Sequence, residues 1–218
     1  MTGTSATLQA ADTIIDQSAT DSDVLNLTLT ATNNAARISG IENINVNWDA
    51  FGDAGFDATN VTGATVTLSS AKVGYLGNAT VTAAGANTIV AGSGMKGNLT
   101  VNGVTASTVD AGVAKTVTVA GSAATTDSVT VTAGAETTTV TVAASVETAN
   151  VTAGAKTTAV TTNAVTATID ATAAAKDAAI AVKGTAGNTD VATVKIGNDA
   201  AVTTTLTGAE KLTLDVAD

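Results

Sequence analysis

Three aspartates recur at every fourth position in one glycine-containing stretch of the chain, at Asp49, Asp53 and Asp57. The stretch reads WDAFGDAGFD, and its two glycines let the backbone bend between the carboxylates. Calcium takes roughly six to eight oxygen ligands, which a flexible loop supplies as carboxylates and backbone carbonyls. This pattern predicts a Ca²⁺ site at the three aspartates. The alternative is a solvated acidic loop that covers the neighbouring aromatic side chains.

A second acidic group precedes the first, at Asp12, Asp16, Asp21 and Asp23. The chain as a whole has a formal net charge of −10 and a sequence pI near 4.2. An acidic chain without a basic stripe does not favour nucleic acid or an anionic membrane surface as a partner. The charge favours solubility, and it also favours divalent cations as partners.

The residue types needed for most catalytic mechanisms are missing from this sequence. The chain contains no His and no Cys, so it lacks the usual general base and the thiolate nucleophile. The stretch GSGMKG at 92–97 matches a dinucleotide-binding pattern, but a strand-like segment follows it where that site needs a helix. We therefore expect a turn at 92–97, and we do not expect an enzyme.

The composition indicates a thin core built from small side chains. Hydrophobic residues make up 44% of the chain but aromatic residues only 2%, and Ala, Val and Thr dominate. Val and Thr are β-branched and favour strands, and few large side chains are present to fill a thick globular interior. We therefore expect an all-β fold in which closely spaced sheets pack against each other.

An internal repeat of about twenty residues is the strongest pattern in the sequence. Residues Val131–Asn150 and Val151–Asp170 align without a gap and are identical at eleven of twenty positions. Weaker copies begin at Val109 and at Val81. A fixed period of this length is typical of solenoids and arrays.

Each repeat contains two short segments in which Val or Ile alternates with Thr. Alternation with period two places one set of side chains inside and the other outside, so we expect Val140 and Val160 to face inward and Thr139 and Thr141 outward. The prediction is a parallel β-solenoid with two strands and two turns per coil and coils about 4.8 Å apart. An antiparallel β-sandwich array is the alternative. Apolar anchors recur roughly every ten residues, at Val131, Val140, Val151, Val160, Ile169 and Ile180.

The chain divides into two regions by composition. Residues 1–77 contain both Phe residues, the one Trp and the one Tyr, and eight acids against two bases; we expect irregular β coils or a cap whose aromatic side chains form core. Residues 78–218 form the repetitive solenoid in this prediction. Thr-x-Thr pairs in the repeats resemble the faces of ice-binding solenoids, but from their spacing we expect them to lack strict register between coils.

One motif occurs twice, in Gly40–Val46 (GIENINV) and Gly208–Leu214 (GAEKLTL): a turn glycine, a carboxylate and an alternating strand. With the Val/Thr/Ala repeats, it resembles bacterial S-layer proteins of the RTX-related, type I secreted class. The resemblance implies an extracellular cell-surface lattice of identical copies that assembles with calcium, with cell-surface polysaccharide bound through parts outside this sequence. The RTX calcium nonapeptide itself does not occur intact, so regular RTX calcium ladders are not expected.

A stalk or passenger segment of a surface adhesin is the alternative function. The two functions differ in self-assembly, because a stalk stays monomeric. No stretch approaches ~20 uninterrupted apolar residues, so we expect no insertion into a membrane.

Overall fold

The computed structural model contains strands, turns and bends, and no helix in its described part. It describes all residues except 19–20, 34, 74, 76, 123–125, 184–189, 198–202, 209–210 and 217–218. The strands are β1 (Thr2–Thr4), β2 (Thr13–Ile15), β3 (Val24–Leu29), β4 (Arg37–Ser39), β5 (Asn43–Trp48), β6 (Ala54–Asp57), β7 (Val61–Thr62), β8 (Thr65–Ser69), β9 (Ala79–Thr82), β10 (Thr88–Ala91), β11 (Asn98–Val104), β12 (Ala106–Asp110), β13 (Thr116–Gly121), β14 (Ser128–Thr132), β15 (Thr139–Val142), β16 (Thr148–Thr152), β17 (Ala159–Thr162), β18 (Thr166–Ala171), β19 (Ala179–Lys183), β20 (Val191–Ile196), β21 (Thr203–Thr207) and β22 (Lys211–Val216).

Three parallel sheets wind around one core. Within the described residues, sheet one has 11 strands in the order β1-β3-β5-β8-β10-β12-β14-β16-β18-β20-β22. Sheet two has eight, in the order β21-β19-β17-β15-β13-β11-β9-β6, and sheet three has three, β2-β4-β7. The chain makes about 10 turns of roughly 20 residues each, which confirms the parallel β-solenoid and not the antiparallel sandwich array.

The alternation of apolar and polar residues sets which side of each strand is buried. Val140 and Val160 pair in register in sheet two, and both are fully buried. Thr139 and Thr141 flank Val140 on the opposite side of β15 and are partly exposed. The predicted inside and outside positions are therefore confirmed. Burying a Val side chain contributes about 1.5–3 kcal/mol, so repeated columns of Val and Ile supply most of the packing energy.

The apolar anchors of the repeat alternate between two sheets. In sheet one Val151 pairs with both Val131 and Ile169, whereas Val140, Val160 and Ile180 form the equivalent column in sheet two. One anchor from each sheet per coil explains why anchors recur roughly every ten residues.

The repeat copy that the sequence comparison places at Val81 begins in a different sheet from the other copies, so it is displaced from them by half a coil. Ile89, and not Val81, is the residue that pairs with Val109 in sheet one. Val81 lies in sheet two, paired with Val101. The error arises because the two sheets use the same Val/Thr alternation, so sequence similarity alone does not say which sheet a segment joins.

The sheets continue through the junction of residues 1–77 and 78–218, where β8 pairs with β10 and β6 pairs with β9. Sheet three lies within the first region. Trp48 and Phe56 are buried as expected of core aromatics. Phe51 is not: its side chain is 73% exposed, so the expectation is wrong for this residue.

Outward-facing threonines form columns in strict register, contrary to the expectation from their spacing in the sequence. Coil lengths vary because the turns differ in length, and this variation hides the register from a linear comparison. In the paired strands of both large sheets, the threonines of successive coils lie directly opposite one another. The column on sheet one is Thr65, Thr88, Thr108, Thr130, Asn150, Thr168, Thr193 and Thr213. The column on sheet two includes Thr80, Thr100, Thr118, Thr141 and Thr161.

Candidate functional site

The first predicted calcium ligand, Asp49, lies directly after β5 and forms an ion pair. Its Oδ1 atom is 2.9 Å from Nζ of Lys72, one coil further along. The same ammonium group lies 5.5 Å from the centroid of the exposed Phe51 ring. Both members of the pair are partly exposed, so the ion pair stabilises the fold by at most about 1 kcal/mol.

The other two predicted ligands have different partners. Asp53 Oδ1 accepts a hydrogen bond of 3.0 Å from the side-chain amide of Asn78. Asp57 Oδ1 accepts two from Thr59, from its hydroxyl at 2.6 Å and its backbone N–H at 2.9 Å. Asp49, Asp53 and Asp57 are thus engaged separately, and they are not among the described residues whose ligand atoms lie close enough to share one ion.

The structure instead brings together three members of the second acidic group. Ligand atoms of Asp16, Asp21 and Asp23 all lie within 4.8 Å of one another, and no other group of three meets this criterion among the described residues. Three carboxylates at this spacing can hold a metal ion. Asp12 is outside the group; its Oδ2 atom accepts a hydrogen bond of 2.7 Å from the backbone N–H of Gln9.

The neighbouring coil positions this cluster through the glycine and glutamate of the GIENINV motif. Gly40 adopts a φ of +73°, and an added Cβ atom would lie 2.2 Å from the backbone oxygen of Asp16, so only glycine fits at this contact. Two residues later, Glu42 Oε2 accepts a hydrogen bond of 2.7 Å from the backbone N–H of Asp23. The motif therefore holds the cluster from the adjacent coil before β5 begins.

One carboxyl of the cluster, that of Asp23, has a pKa above its ordinary value. Loss of hydration raises the pKa of Asp23, and the negative charges of Asp16, Asp21 and Glu42 raise it further. A cation bound between the carboxylates would offset this repulsion. The arrangement is therefore an electrostatically unfavourable group of carboxylates that a divalent cation would stabilise.

The glycine-rich segment at 92–97 is a turn, as predicted. Gly94 has a φ of +87°, and β11 follows immediately at Asn98. With a strand and not a helix after the glycines, the segment lacks the N-terminal helix dipole that binds a pyrophosphate.

The fold places this chain in the class of parallel β-solenoids, because the parallel strands of successive coils stack into continuous sheets. The chain matches no protein-family model, no curated protein and no solved structure. The described part of the chain has no helix of the length and apolarity required to cross a lipid bilayer.

Proposed function

We propose that the chain is a structural, extracellular building block of an S-layer-type lattice that assembles from copies of itself. The observation that carries the proposal is β22, the last strand of sheet one among the described residues, whose outer edge pairs with no other described strand. There Leu212, Leu214 and Val216 are 41%, 49% and 53% exposed. They pair with Ala192, Val194 and Ile196, so they continue the inward-facing apolar columns of the solenoid.

An exposed edge strand with apolar side chains favours association with another strand. Its backbone donors and acceptors are oriented for parallel pairing, and its Leu side chains extend the core columns. A second copy that covers this edge would remove apolar surface from water at about 25 cal/mol per Å². For the chain of residues 1–218, association at β22 is therefore the contact that we propose for assembly; in a longer chain, a further coil would pair with the same edge.

Calcium is part of the same proposal. The cluster of Asp16, Asp21 and Asp23 lies in a region with eight acids and two bases, and like charges oppose the approach of copies. Calcium bound to these carboxylates lowers the local negative charge and so allows copies of the chain to approach one another. The proposed ion is Ca²⁺ because the cluster offers only carboxylate oxygen atoms, which are the ligand type that calcium prefers.

Electron microscopy of the purified chain with and without millimolar calcium tests this function. We expect ordered assemblies with calcium and dispersed rods without it. Leu214→Lys should prevent assembly, whereas Thr213→Lys should not, because Thr213 lies on the outward column of the same strand. Monomeric rods under both conditions would contradict the lattice and favour the stalk of a surface adhesin.

The threonine columns favour a second candidate function, binding to ice. Hydroxyl and methyl groups repeat at about 4.8 Å from coil to coil, with Asn150 as the one interruption in the sheet-one column, and such an ordered array is the kind that an ice surface requires. Thermal hysteresis of the purified chain tests this candidate. Thr130→Lys, placed within the sheet-one column, should abolish the hysteresis if that face binds ice.

A further inference from the structure

A groove of about 590 Å³ follows one corner of the solenoid, where the chain passes from sheet one to sheet two. Its lining comes from the turns before β11, β13, β15 and β17, which are four successive coils. At about 4.8 Å per coil the groove extends along the solenoid axis for about 14 Å. The lining residues are Lys96, Val113, Lys115, Glu136, Thr138 and Lys156.

Positive charge is concentrated in this groove although the chain as a whole is acidic. The chain has nine basic residues against 19 acidic ones, yet three lysines line this one groove. Lys176 lies in the next turn of the same corner, between β18 and β19. The repeat itself explains the placement, because AGAET at 133–137 and AGAKT at 153–157 put a charged residue in the same turn of successive coils.

Two of the three lysines have no carboxylate partner in the described part of the chain. Glu136, the one acid of the groove, is bound to Lys156, with its Oε2 and Oε1 atoms 2.6 and 2.8 Å from Nζ. The ion pairs found among the described residues do not involve Lys96 or Lys115. These two ammonium groups are therefore available to a ligand that brings its own negative charges.

We propose that this groove binds a linear polyanion whose negative groups are spaced along the chain, such as an acidic polysaccharide. The groove is concave and elongated, so it fits a thin polymer better than the sheets and convex corners of a second solenoid. Val113 and the methylene stems of the lysines supply apolar surface for sugar rings beside the ammonium groups. Carboxylate and phosphate polymers share the required chemistry.

Duplex nucleic acid does not fit this groove on electrostatic grounds. It carries about one negative charge per 1.7 Å, and only a small basic area of this acidic chain could neutralise it. A single polymer chain whose charges are more widely spaced than those of the duplex meets the lysines and brings less negative charge near the remaining carboxylates. This inference is independent of lattice assembly, because the groove lies away from β22 and from the aspartate cluster.

Isothermal titration with polygalacturonate and with inorganic polyphosphate tests the proposal, with neutral dextran as the blank ligand. We expect binding of at least one polyanion, with an affinity that decreases as salt increases. Lys96→Gln/Lys115→Gln should weaken that binding by about tenfold or more. Lys183→Gln/Lys211→Gln removes the same charge elsewhere and should leave the affinity within about twofold. Comparing the two polymers identifies whether carboxylate or phosphate is preferred.

Three results would overturn the proposal. The first is that neither polymer binds to the folded chain at low salt. The second is equal loss of affinity in both double variants, because it would indicate unspecific attraction to lysine. The third is concentration-dependent association of the chain in sedimentation experiments without polymer that Lys96→Gln/Lys115→Gln abolishes, since the groove would then be a contact for a second copy. Circular dichroism of both variants verifies that each is folded.

Discussion

The hydroxyl group of Thr157 donates a hydrogen bond of 3.0 Å to the backbone oxygen of Thr137, directly beneath it in the preceding coil. The same hydroxyl accepts one of 2.9 Å from the backbone N–H of Gly154. Thr137 repeats the arrangement one coil earlier, donating to Ala114 and accepting from Gly134. Both threonines are fully buried, so they form a polar ladder that ties successive turns together.

Removing one step of this ladder should destabilise the coils around it. Thr157→Val keeps the shape of the side chain but leaves the Gly154 N–H and the Thr137 oxygen without this partner, at a cost of about 1–3 kcal/mol. Thr152→Val is the matched control, because Thr152 is exposed and should be near neutral. Urea denaturation measures the difference, and hydrogen exchange at Gly154 localises it. Equal stability of the two variants would contradict a structural role for the ladder.

A charge in the inward column should be far more damaging than a charge outside it. Val160→Asp places an unpaired carboxylate in a fully buried position and should cost several kcal/mol of unfolding free energy. Thr139→Lys alters a partly exposed position one coil away and should be nearly neutral. The tryptophan fluorescence of buried Trp48 and circular dichroism can both follow unfolding. Similar tolerance of the two changes would show that the inside and outside assignment is wrong.

The raised pKa of Asp23 predicts how the aspartate cluster responds to pH and calcium. A carboxyl whose folded-state pKa is raised favours the fold below its unfolded-state pKa, and this contribution is lost as pH increases through the folded-state value. Asp23→Asn should therefore raise the thermal midpoint near neutral pH without calcium, and the gain should disappear in acid. With millimolar calcium the wild-type chain should have the higher thermal midpoint of the two, because its cluster binds the ion more tightly than the Asp23→Asn cluster does.

Asp177→Asn is the control for this experiment, because it removes an exposed carboxylate outside the cluster. It should alter neither the pH dependence nor the calcium response of the midpoint. Calorimetric titration separates the two candidate metal sites: Asp23→Asn should remove the binding heat, and Asp53→Asn should not. The opposite result would favour the site first predicted at Asp49, Asp53 and Asp57.

Asp170 should show the opposite pH dependence from Asp23. The hydroxyl of Thr172, at 2.6 Å, and then its backbone N–H lower the pKa of Asp170, with Lys195 adding to the effect. A lowered folded-state pKa stabilises the fold above the unfolded-state value, and the contribution is lost as pH decreases through the folded-state pKa. Thr172→Val should raise the pKa of Asp170 in an NMR titration. Thr168→Val, an exposed position on the same strand, should leave it unchanged.

The sequence by itself determined the fold class, the coil length and the side of each strand that faces inward. These features depend on local properties: β-branched residues favour strands, and period-two alternation requires one buried face. The alternation around Val140 and Val160 was therefore sufficient to place both residues in the core. The repeat also revealed the period of about twenty residues, because successive coils meet the same packing requirement.

The tertiary structure alone decided which coils meet at each turn, and hence the candidate sites. Asp16, Asp21 and Asp23 converge because Gly40 lets the next coil approach Asp16, whereas Asp49, Asp53 and Asp57 diverge although they are evenly spaced in sequence. Turn length likewise decides three other features. It sets the register of the threonine columns, it decides that Val81 joins sheet two and not sheet one, and it brings the lysines of the groove together. Residues about twenty positions apart become neighbours only after the coils stack, and a linear pattern does not fix how much chain each turn uses.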